Sequence, residues 1–219
     1  MAHPDDEQIA PDWIDQPAPP EETPPRPLTP SRFAAIDPGG SPSGQGRQAA
    51  MLRGSITHRM LELLPGLDLE ARDRAAARIT APYLPNLISA EEVDAIRRDV
   101  EHLMANPDFA LIFSADSRAE VPISGSIGKT IINGVIDRLV VTGNEVLIID
   151  FKTGQPPQDS DGLPQSYVNQ LAVYRHVLSE IYPHQRVKAG VVFTENASLF
   201  WAGDAAMDRA IAALEAAKA

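Results

Sequence analysis

The chain of 219 residues contains no cysteine. It therefore has no disulfide, no cysteine-ligated zinc ribbon or iron–sulfur cluster, and no thiol nucleophile. No apolar run approaches the roughly 20 residues that a membrane span needs, and the N-terminus lacks the pattern of a signal peptide. The sequence thus predicts a cytoplasmic protein with no membrane partner.

Basic residues are also scarce, since 19 Lys and Arg stand against 30 Asp and Glu, for a net charge of −11. Two loose groups come closest to a basic patch: Arg47, Arg53 and Arg59, then Arg72, Arg74 and Arg78. Phosphate contacts dominate nucleic-acid affinity, so this balance argues against strong DNA binding by the chain alone. The second group lies partly on one face of a predicted helix, and solvated surface is the favoured interpretation.

The first 46 residues have the composition of a linker. They hold 11 of the chain's 20 prolines, and residues 1–30 carry seven acidic residues and one arginine. Such a stretch cannot bury enough apolar surface to offset its ordering entropy, and its prolines make it a semi-rigid spacer. We therefore predict a disordered, acidic, Pro-rich linker over 1–46 and one folded domain over 47–219.

Hydrophobic periodicity predicts an α/β domain. The expected helices cover 48–64, 69–83, 89–106, 162–181 and 205–218, and the expected strands cover 109–114, 118–127, 130–141, 145–151, 187–193 and 199–201. Ser89 and Glu92 form a capping box that opens the third helix. The apolar runs at 147–149 and 191–193 are typical of central strands in a sheet that is covered on both faces.

A β-hairpin is the most informative local feature. Gly143-Asn144 is a two-residue turn signal between apolar strands. Counting outward from this turn places Asp137 directly opposite Asp150, with Cβ atoms about 5 Å apart. Because side chains alternate along a strand, Lys152 shares the face of Asp150, whereas Phe151 points to the other face. Three charged groups therefore converge.

Two carboxylates this close repel each other, and a divalent cation would resolve the repulsion. Hard oxygen ligands suit Mg²⁺, with Mn²⁺ as an alternative, and a water bound to such an ion can attack phosphorus. Lys152 would orient that water or stabilise negative charge on the phosphorane. The alternative is that Asp150 and Lys152, like Asp137 and Arg138, form solvated ion pairs on an exposed sheet face.

One short segment imitates a nucleotide-binding loop. Gly128-Lys129-Thr130 matches the end of a P-loop, but that loop needs Gly five residues before the Gly-Lys pair, where this chain has Ile123. A strand rather than a helix is also expected to follow. The sequence therefore predicts no ATP site in this chain.

Three segments together resemble a known family. Gly134-x-x-Asp137-Arg138, then Ile149-Asp150-Phe151-Lys152-Thr153-Gly154, then Gln170-Leu-Ala-Val-Tyr174 resemble the nuclease motifs of the PD-(D/E)XK superfamily, RecB-like branch. The segment Gly54-x-x-x-His58 is similar to the helix that opens these domains, and 47–219 as a whole resembles the C-terminal nuclease domain of AddA. The resemblance implies a restriction-endonuclease-like core, a mixed sheet flanked by helices.

The resemblance also implies roles for individual residues. The implied metal ligands are His58, Asp137, Asp150 and the backbone carbonyl of Phe151; Lys152 would be the catalytic lysine, and Gln170 and Tyr174 would line the site. Spacing alone leaves other interpretations open: a surface or half-buried His58, a solvent-facing Gln170, and a Tyr174 packed on its own helix. For Glu120, in a Glu-x-Pro segment that also resembles the family, a strand-edge charge is the preferred interpretation.

The function implied is that of a Mg²⁺-dependent deoxyribonuclease, the exonuclease of a helicase-nuclease complex in double-strand break repair and recombination. In that family a helicase motor precedes the nuclease and would deliver single strands, so we expect a C-terminal piece that works with an AddB-type partner subunit. One alternative is a non-catalytic remnant that guides DNA or binds a partner. Another is a fragment that is inactive without its motor.

Overall fold

The structure, a computed structural model, describes residues 27–30 and 45–217. Most of the linker expected over 1–46 lies outside these ranges. The elements are α1 Gln45–Leu63, α2 Leu69–Thr80, α3 Ala90–Ala105, a 3-10 turn Pro107–Phe109, β1 Ser117–Ile127, β2 Thr130–Val141, β3 Glu145–Lys152, a 3-10 turn Ser160–Gly162, α4 Gln165–Ile181, β4 Arg186–Phe193, β5 Ser198–Trp201 and α5 Asp204–Ala216. Among these, no helix combines the length and apolar character of a membrane span.

The five strands form one mixed sheet in the order β1-β2-β3-β4-β5. Only β3 and β4 run parallel; the other neighbours are antiparallel. Helices α4 and α5 cover one face, and α1, α2 and α3 cover the other. The prediction of a mixed sheet flanked by helices is confirmed.

Side chains of β3 and β4 alternate between the two faces of the sheet, so both strands contribute to the hydrophobic core on each face. Ile148 and Val191 face the α4 layer, whereas Ile149 and Val192 face the α1 layer, and all four are at most 1% exposed. Burial on both faces explains why these strands read as nearly continuous apolar runs. A polar side chain on β3 is therefore held inside the molecule rather than on a solvated sheet.

The register of the β2–β3 hairpin is the one that the turn predicted. Val141 pairs with Val146 and Arg138 with Ile149, and the Thr142 amide donates to the Glu145 carbonyl at 2.9 Å. Ladder pairing ends at Arg138, so Asp137 and Asp150 lie one position beyond the last pair.

The β1–β2 ribbon bends at that point. Ile136 and Leu139 both pack into the α4-side core although they are three residues apart, which a flat strand with period two would not allow. Glu120, at the ladder position opposite Asp137, has a φ of 49°, in the left-handed region that residues other than glycine rarely adopt. The change of face thus falls between Ile136 and Leu139, at Asp137.

One predicted strand is wrong. Residues 109–114 form no strand; they continue the 3-10 turn that starts at Pro107, where the Asn106 side chain accepts a hydrogen bond from the Asp108 amide at 3.0 Å. Phe109 and Ile112 are buried and Leu111 is exposed. This spacing of three fits a turn that inserts its apolar side chains into the α1-side core.

Part of the expected linker pairs with the sheet. Residues 27–30, called the strap below, form a parallel bridge to β2. The Leu28 amide donates to the Ile131 carbonyl at 2.8 Å, and the Asn133 amide donates to the Leu28 carbonyl at 3.1 Å. Leu28 also packs on the α4-side core.

Candidate functional site

The predicted site residues meet in a gap along one edge of β2. On this edge β3 pairs with 138–141, and the strap pairs near Ile132. Between these two partners, no described residue pairs with 134–137 on this edge, and backbone groups there need other partners. The gap is therefore a cleft in the sheet that side chains from both helical layers can enter.

Asp137 and Asp150 face each other at the closed end of the gap. The Asp137 carboxylate accepts a hydrogen bond from the Phe151 amide at 2.8 Å, and so replaces the ladder bond that is lost where the strands separate. Asp150 is 3% exposed. Burial raises the pKa of Asp150, and the charge of Lys152 offsets this only in part. Burial also raises the pKa of Asp137, but the hydrogen bond and charge of His58 lower it overall.

His58 reaches this pair from α1. Its Nε2 lies 3.0 Å from the Phe151 carbonyl oxygen, and its Nδ1 lies 3.5 Å from a carboxylate oxygen of Asp137. Burial lowers the pKa of His58, but the hydrogen bond and charge of Asp137 raise it above its ordinary value of 6.5. A ring that faces acceptors on both nitrogens is best satisfied as an imidazolium.

Glu120 joins the cluster from β1. One ligand atom each from His58, Glu120 and Asp137 lie within 4.8 Å of one another. Burial and the negative charge of Asp137 raise the pKa of Glu120. The preferred interpretation from spacing was a strand-edge charge, and Glu120 is indeed exposed. Glu120 stands opposite Asp137 in the β1–β2 register, which pairs Ile127 with Thr130 across the Gly128-Lys129 turn, so counting outward from that turn would have placed its carboxylate on the Asp137 face.

Lys152 lies beside Asp150 on the α4 side. Its ammonium is 2.6 Å from a carboxylate oxygen of Asp150 and 5.1 Å from the centre of the Tyr167 ring. Burial lowers the pKa of Lys152, but the charges of Asp150 and Asp137 raise it above its ordinary value. Lys152 is therefore a cation at neutral pH, suited to stabilise negative charge rather than to accept a proton.

Gln170 and Tyr174 enter the cleft from α4. The Gln170 amide nitrogen donates to Asp150 at 2.9 Å, and its oxygen lies 3.5 Å from the ammonium of Lys152. The Tyr174 hydroxyl donates to the Val135 carbonyl at 2.7 Å, and so satisfies a backbone group inside the gap. Both side chains are buried, at 4% and 1% exposure, so a solvent-facing Gln170 is wrong.

Gly134 makes the close approach of α4 possible. A Cβ at this position would lie 2.9 Å from the Tyr174 ring and 3.1 Å from Pro30. Glycine is therefore required by packing, because both the ring and the strap contact the backbone of β2 here.

The cleft has a volume of about 720 Å³ and is lined by the predicted residues together with Thr29 of the strap. The alternative of solvated ion pairs is wrong, because Asp150 and Arg138 are buried and the Lys152 side chain is 17% exposed. Arg138 instead donates to the Leu61 carbonyl near the end of α1 and lies over the Phe113 ring.

Comparison with protein families decides the assignment of the fold. The family model of the PD-(D/E)XK nuclease superfamily matches residues 31–217. The chain belongs to this superfamily. No curated protein matches the chain.

Solved structures agree with this superfamily fold. A candidate exonuclease from Eubacterium rectale is 14% identical, with a TM-score of 0.62 over 87% of this chain and 77% of that chain. At this identity the likeness concerns the fold alone. The structure of SSO0001 is 18% identical with a TM-score of 0.33, over 74% of this chain and 71% of that chain, and supports no argument.

Nucleases of the PD-(D/E)XK superfamily typically use divalent metals, and the donor set of the cleft fits such an ion. One imidazole, buried or half-buried carboxylates and one backbone carbonyl converge at its closed end. Oxygen ligands of this kind are those that Mg²⁺ and Mn²⁺ prefer. The charges fit too, since among the described residues the carboxylates of Asp137, Asp150 and Glu120 outnumber the two cationic groups that form ion pairs with them, a protonatable His58 and Lys152.

Proposed function

We propose that this protein is a Mg²⁺- or Mn²⁺-dependent deoxyribonuclease. The observation that carries the proposal is the convergence of Asp137, Asp150 and Lys152 with His58 in a gap of the sheet that has a side open to substrate. The nuclease fold supports DNA as the substrate.

The metal would be held by His58, Asp137, Asp150 and the Phe151 carbonyl, and Glu120 stands close enough to add a carboxylate. A divalent cation in this place would polarise a phosphate oxygen and acidify a water molecule. The hydrogen bond from the Phe151 amide fixes the Asp137 carboxylate, and α1 fixes His58. The Asp137 carboxylate is thus held in place, whereas His58 would exchange its contact with the Phe151 carbonyl for the ion.

Lys152 would act on the charge that develops at phosphorus. Its raised pKa keeps it protonated, and its contact with Asp150 aims the ammonium into the cleft. Electrostatic stabilisation of developing charge by a fixed, poorly solvated cation contributes strongly to rate. The residue would therefore stabilise the phosphorane or orient the attacking water.

Gln170 and Tyr174 would act as positioning residues. Gln170 contacts both members of the Asp150–Lys152 pair, so it restrains the geometry of each toward the other. Tyr174 ties α4 to the backbone of the gap through the Val135 carbonyl. Neither role requires direct contact with a scissile phosphate.

We further propose that the domain is the nuclease part of an AddA-type helicase-nuclease, acting with an AddB-type subunit in double-strand break repair. The order of the motifs along the chain and the His-bearing helix α1 support this context. A net charge of −11 supports it as well, because a motor that delivers the strand would remove the need for strong intrinsic DNA affinity. In this proposal 1–46 is the linker and 47–219 the nuclease domain, and the strap is a part of the linker that pairs with β2.

Cleavage of a labelled single strand by the full chain in Mg²⁺ or Mn²⁺ tests the proposal. Asp150→Ala and Lys152→Ala should each lower the rate at least about 100-fold, because each removes a group that acts at the reacting phosphate. Lys188→Ala is the matched control, since this lysine lies on β4 over Trp201, outside the cleft. Cleavage that survives both site substitutions would overturn the proposed site.

Metal binding without cleavage would favour the other candidate, a remnant that guides DNA. Calorimetric titration of the full chain with Mn²⁺, beside Asp137→Ala, separates the two cases. Binding that depends on Asp137 with no cleavage of any strand would mean an intact metal site without catalysis by this chain.

A further inference from the structure

A second concave surface lies beside the cleft, between α1 and α2. This α1–α2 groove has a volume of about 570 Å³. Its floor is apolar, with Ile56, Ala75 and Ile79 among the lining residues, and three arginines and one tyrosine border it: Arg59, Arg74, Arg78 and Tyr83. Because the metal cleft uses none of these side chains, the groove is a separate feature of the surface.

The charge of the groove is opposite to that of the chain. The protein has 30 acidic and 19 basic residues, yet none of the described residues that line the groove carries a carboxylate. Arg74 and Arg78 are exposed, as the sequence favoured, and they lie together on one wall of the groove. A concentration of guanidinium groups in an acidic protein indicates an anionic occupant.

The arginines can exchange their present partners for phosphate. Arg59 pairs with Glu62 and Arg74 with Glu70, each within its own helix, and the Arg59 and Arg74 side chains are 53% and 58% exposed. Exposed pairs of this kind contribute little to stability. Arg78 is exposed as well. Binding a phosphate would therefore cost the fold little.

The distance between the arginines of the groove suits a polymer of phosphates rather than a single anion. Arg74 and Arg78 are four residues apart on α2, so they lie on one face about 6 Å apart along the helix axis. Successive phosphates of an extended strand have a comparable separation. The half-buried Tyr83 and the apolar floor offer surfaces on which bases stack without regard to sequence.

The groove and the metal cleft are lined by adjacent residues of α1, Arg59 and His58. Arg59 directly follows His58 on α1, and its charge acts on the carboxyl of Glu120, where it opposes the larger effect of burial on the pKa. One arginine therefore stands between the ligand cluster and the groove. A strand whose phosphate sits at the cluster can pass Arg59 and reach Arg74 and Arg78.

We propose that the α1–α2 groove binds single-stranded DNA adjacent to the phosphate that is cleaved. Arg59, Arg74 and Arg78 contact phosphates, and Tyr83 stacks on a base. The choice of DNA as the ligand of the groove rests on the proposed nuclease function. The affinity of the groove for a strand can nevertheless be measured without cleavage.

Fluorescence anisotropy of labelled oligothymidylates on the full chain in EDTA tests the groove. The double variant Arg74→Glu/Arg78→Glu should raise the Kd for a strand of about 12 nucleotides at least tenfold. It should also reduce the magnitude of the slope of log K against log salt by about 1.4, since each phosphate contact on a single strand contributes about 0.7. Arg186→Glu/Arg209→Glu makes the same change in net charge at exposed positions away from the groove and should alter the Kd less than twofold.

Hydrolysis of bis-p-nitrophenyl phosphate separates failure of the groove from failure of the nuclease. This small diester cannot reach from the cleft to α2, so the groove variant should hydrolyse it at the parental rate. Loss of strand binding by the groove variant alone supports the groove even if the parent cleaves nothing. Equal Kd values for the groove variant and its control would contradict the proposal that the groove binds a strand, even if the chain is an active nuclease. The groove would then be a surface for a protein partner.

Discussion

At the scale of residues, the cleft is organised by pairs of opposite charge that lack full access to water. His58 compensates Asp137, and Lys152 compensates Asp150. Gln170 contacts both members of the second pair. Because removal of one partner of a buried pair leaves an uncompensated charge, each of these side chains affects stability as well as function.

Substituting Tyr174→Phe should destabilise the protein by about 0.5 to 1.5 kcal/mol, because the hydrogen bond from its hydroxyl to the Val135 carbonyl is lost. The loss should be visible as a lower midpoint of urea denaturation. Tyr182→Phe is the matched control: this ring packs half-buried at the same core. Equal midpoints for the two variants would mean that the Val135 carbonyl does not depend on Tyr174.

The stability contributed by His58 should depend on pH. In EDTA its folded pKa is raised above 6.5, so its interaction with Asp137 stabilises the fold fully below that value and is lost as pH rises through the folded pKa. The difference in unfolding free energy between the parent and His58→Gln should therefore be larger at pH 5.5 than at pH 8.5. Urea denaturation at several pH values measures it, with His102→Gln, an exposed residue of α3, as the control. A difference that grows with pH would contradict the pairing with Asp137.

At the scale of elements, the site exists because β2 has two partners along one edge and a gap between them. The β3 strand and the strap fill the edge on either side of 134–137. The bend at Glu120 and Asp137 lies where the gap meets β3. Helices α1 and α4 then supply side chains from opposite faces of the sheet.

The strap should contribute measurably to the fold. Leu28→Ala removes apolar contact with the α4-side core and should cost about 1 to 2 kcal/mol, less than a fully buried leucine, because Leu28 is only half-buried. Leu87→Ala, at a leucine that is 65% exposed, should cost at most about 0.5 kcal/mol. Thermal denaturation of both variants compares them. Identical melting temperatures would mean that the strap does not dock in solution.

The β2–β3 hairpin and the start of helix α3 could be predicted because the sequence signals that define them are local. The Gly143-Asn144 turn fixes the β2–β3 register, and a shift of one residue would reverse the face of every side chain. The capping box at Ser89 likewise marks the start of α3. The β1–β2 register likewise places Glu120 opposite Asp137, but the left-handed φ of Glu120 has no signal in the sequence.

Two other features were missed for physical reasons. The apolar run 109–114 satisfied a strand pattern, but Pro107 and the Asn106 cap favour a turn, and burial of Phe109 and Ile112 stabilises it. The strap was missed because four residues in a Pro-rich stretch show no periodicity. Its pairing depends on a free edge of β2, which only the tertiary structure creates.

At the scale of the whole molecule, basic residues are concentrated at one groove of an otherwise acidic protein. The net charge is −11, yet three arginines border the α1–α2 groove, and the charge of one of them, Arg59, acts on Glu120 of the ligand cluster. An acidic surface disfavours binding of DNA elsewhere, and a basic groove beside the cleft favours one path for a strand. The same arrangement of charge makes binding by the isolated chain sensitive to salt.

The most direct test of the metal-dependent site is a crystal structure of the full chain with Mn²⁺, examined for anomalous scattering. The account predicts an anomalous peak within coordination distance of Asp137, Asp150 and the Phe151 carbonyl, with His58 turned toward the ion. The peak should disappear in Asp150→Ala and persist in Lys188→Ala. A peak elsewhere, or none at saturating Mn²⁺, would contradict the account.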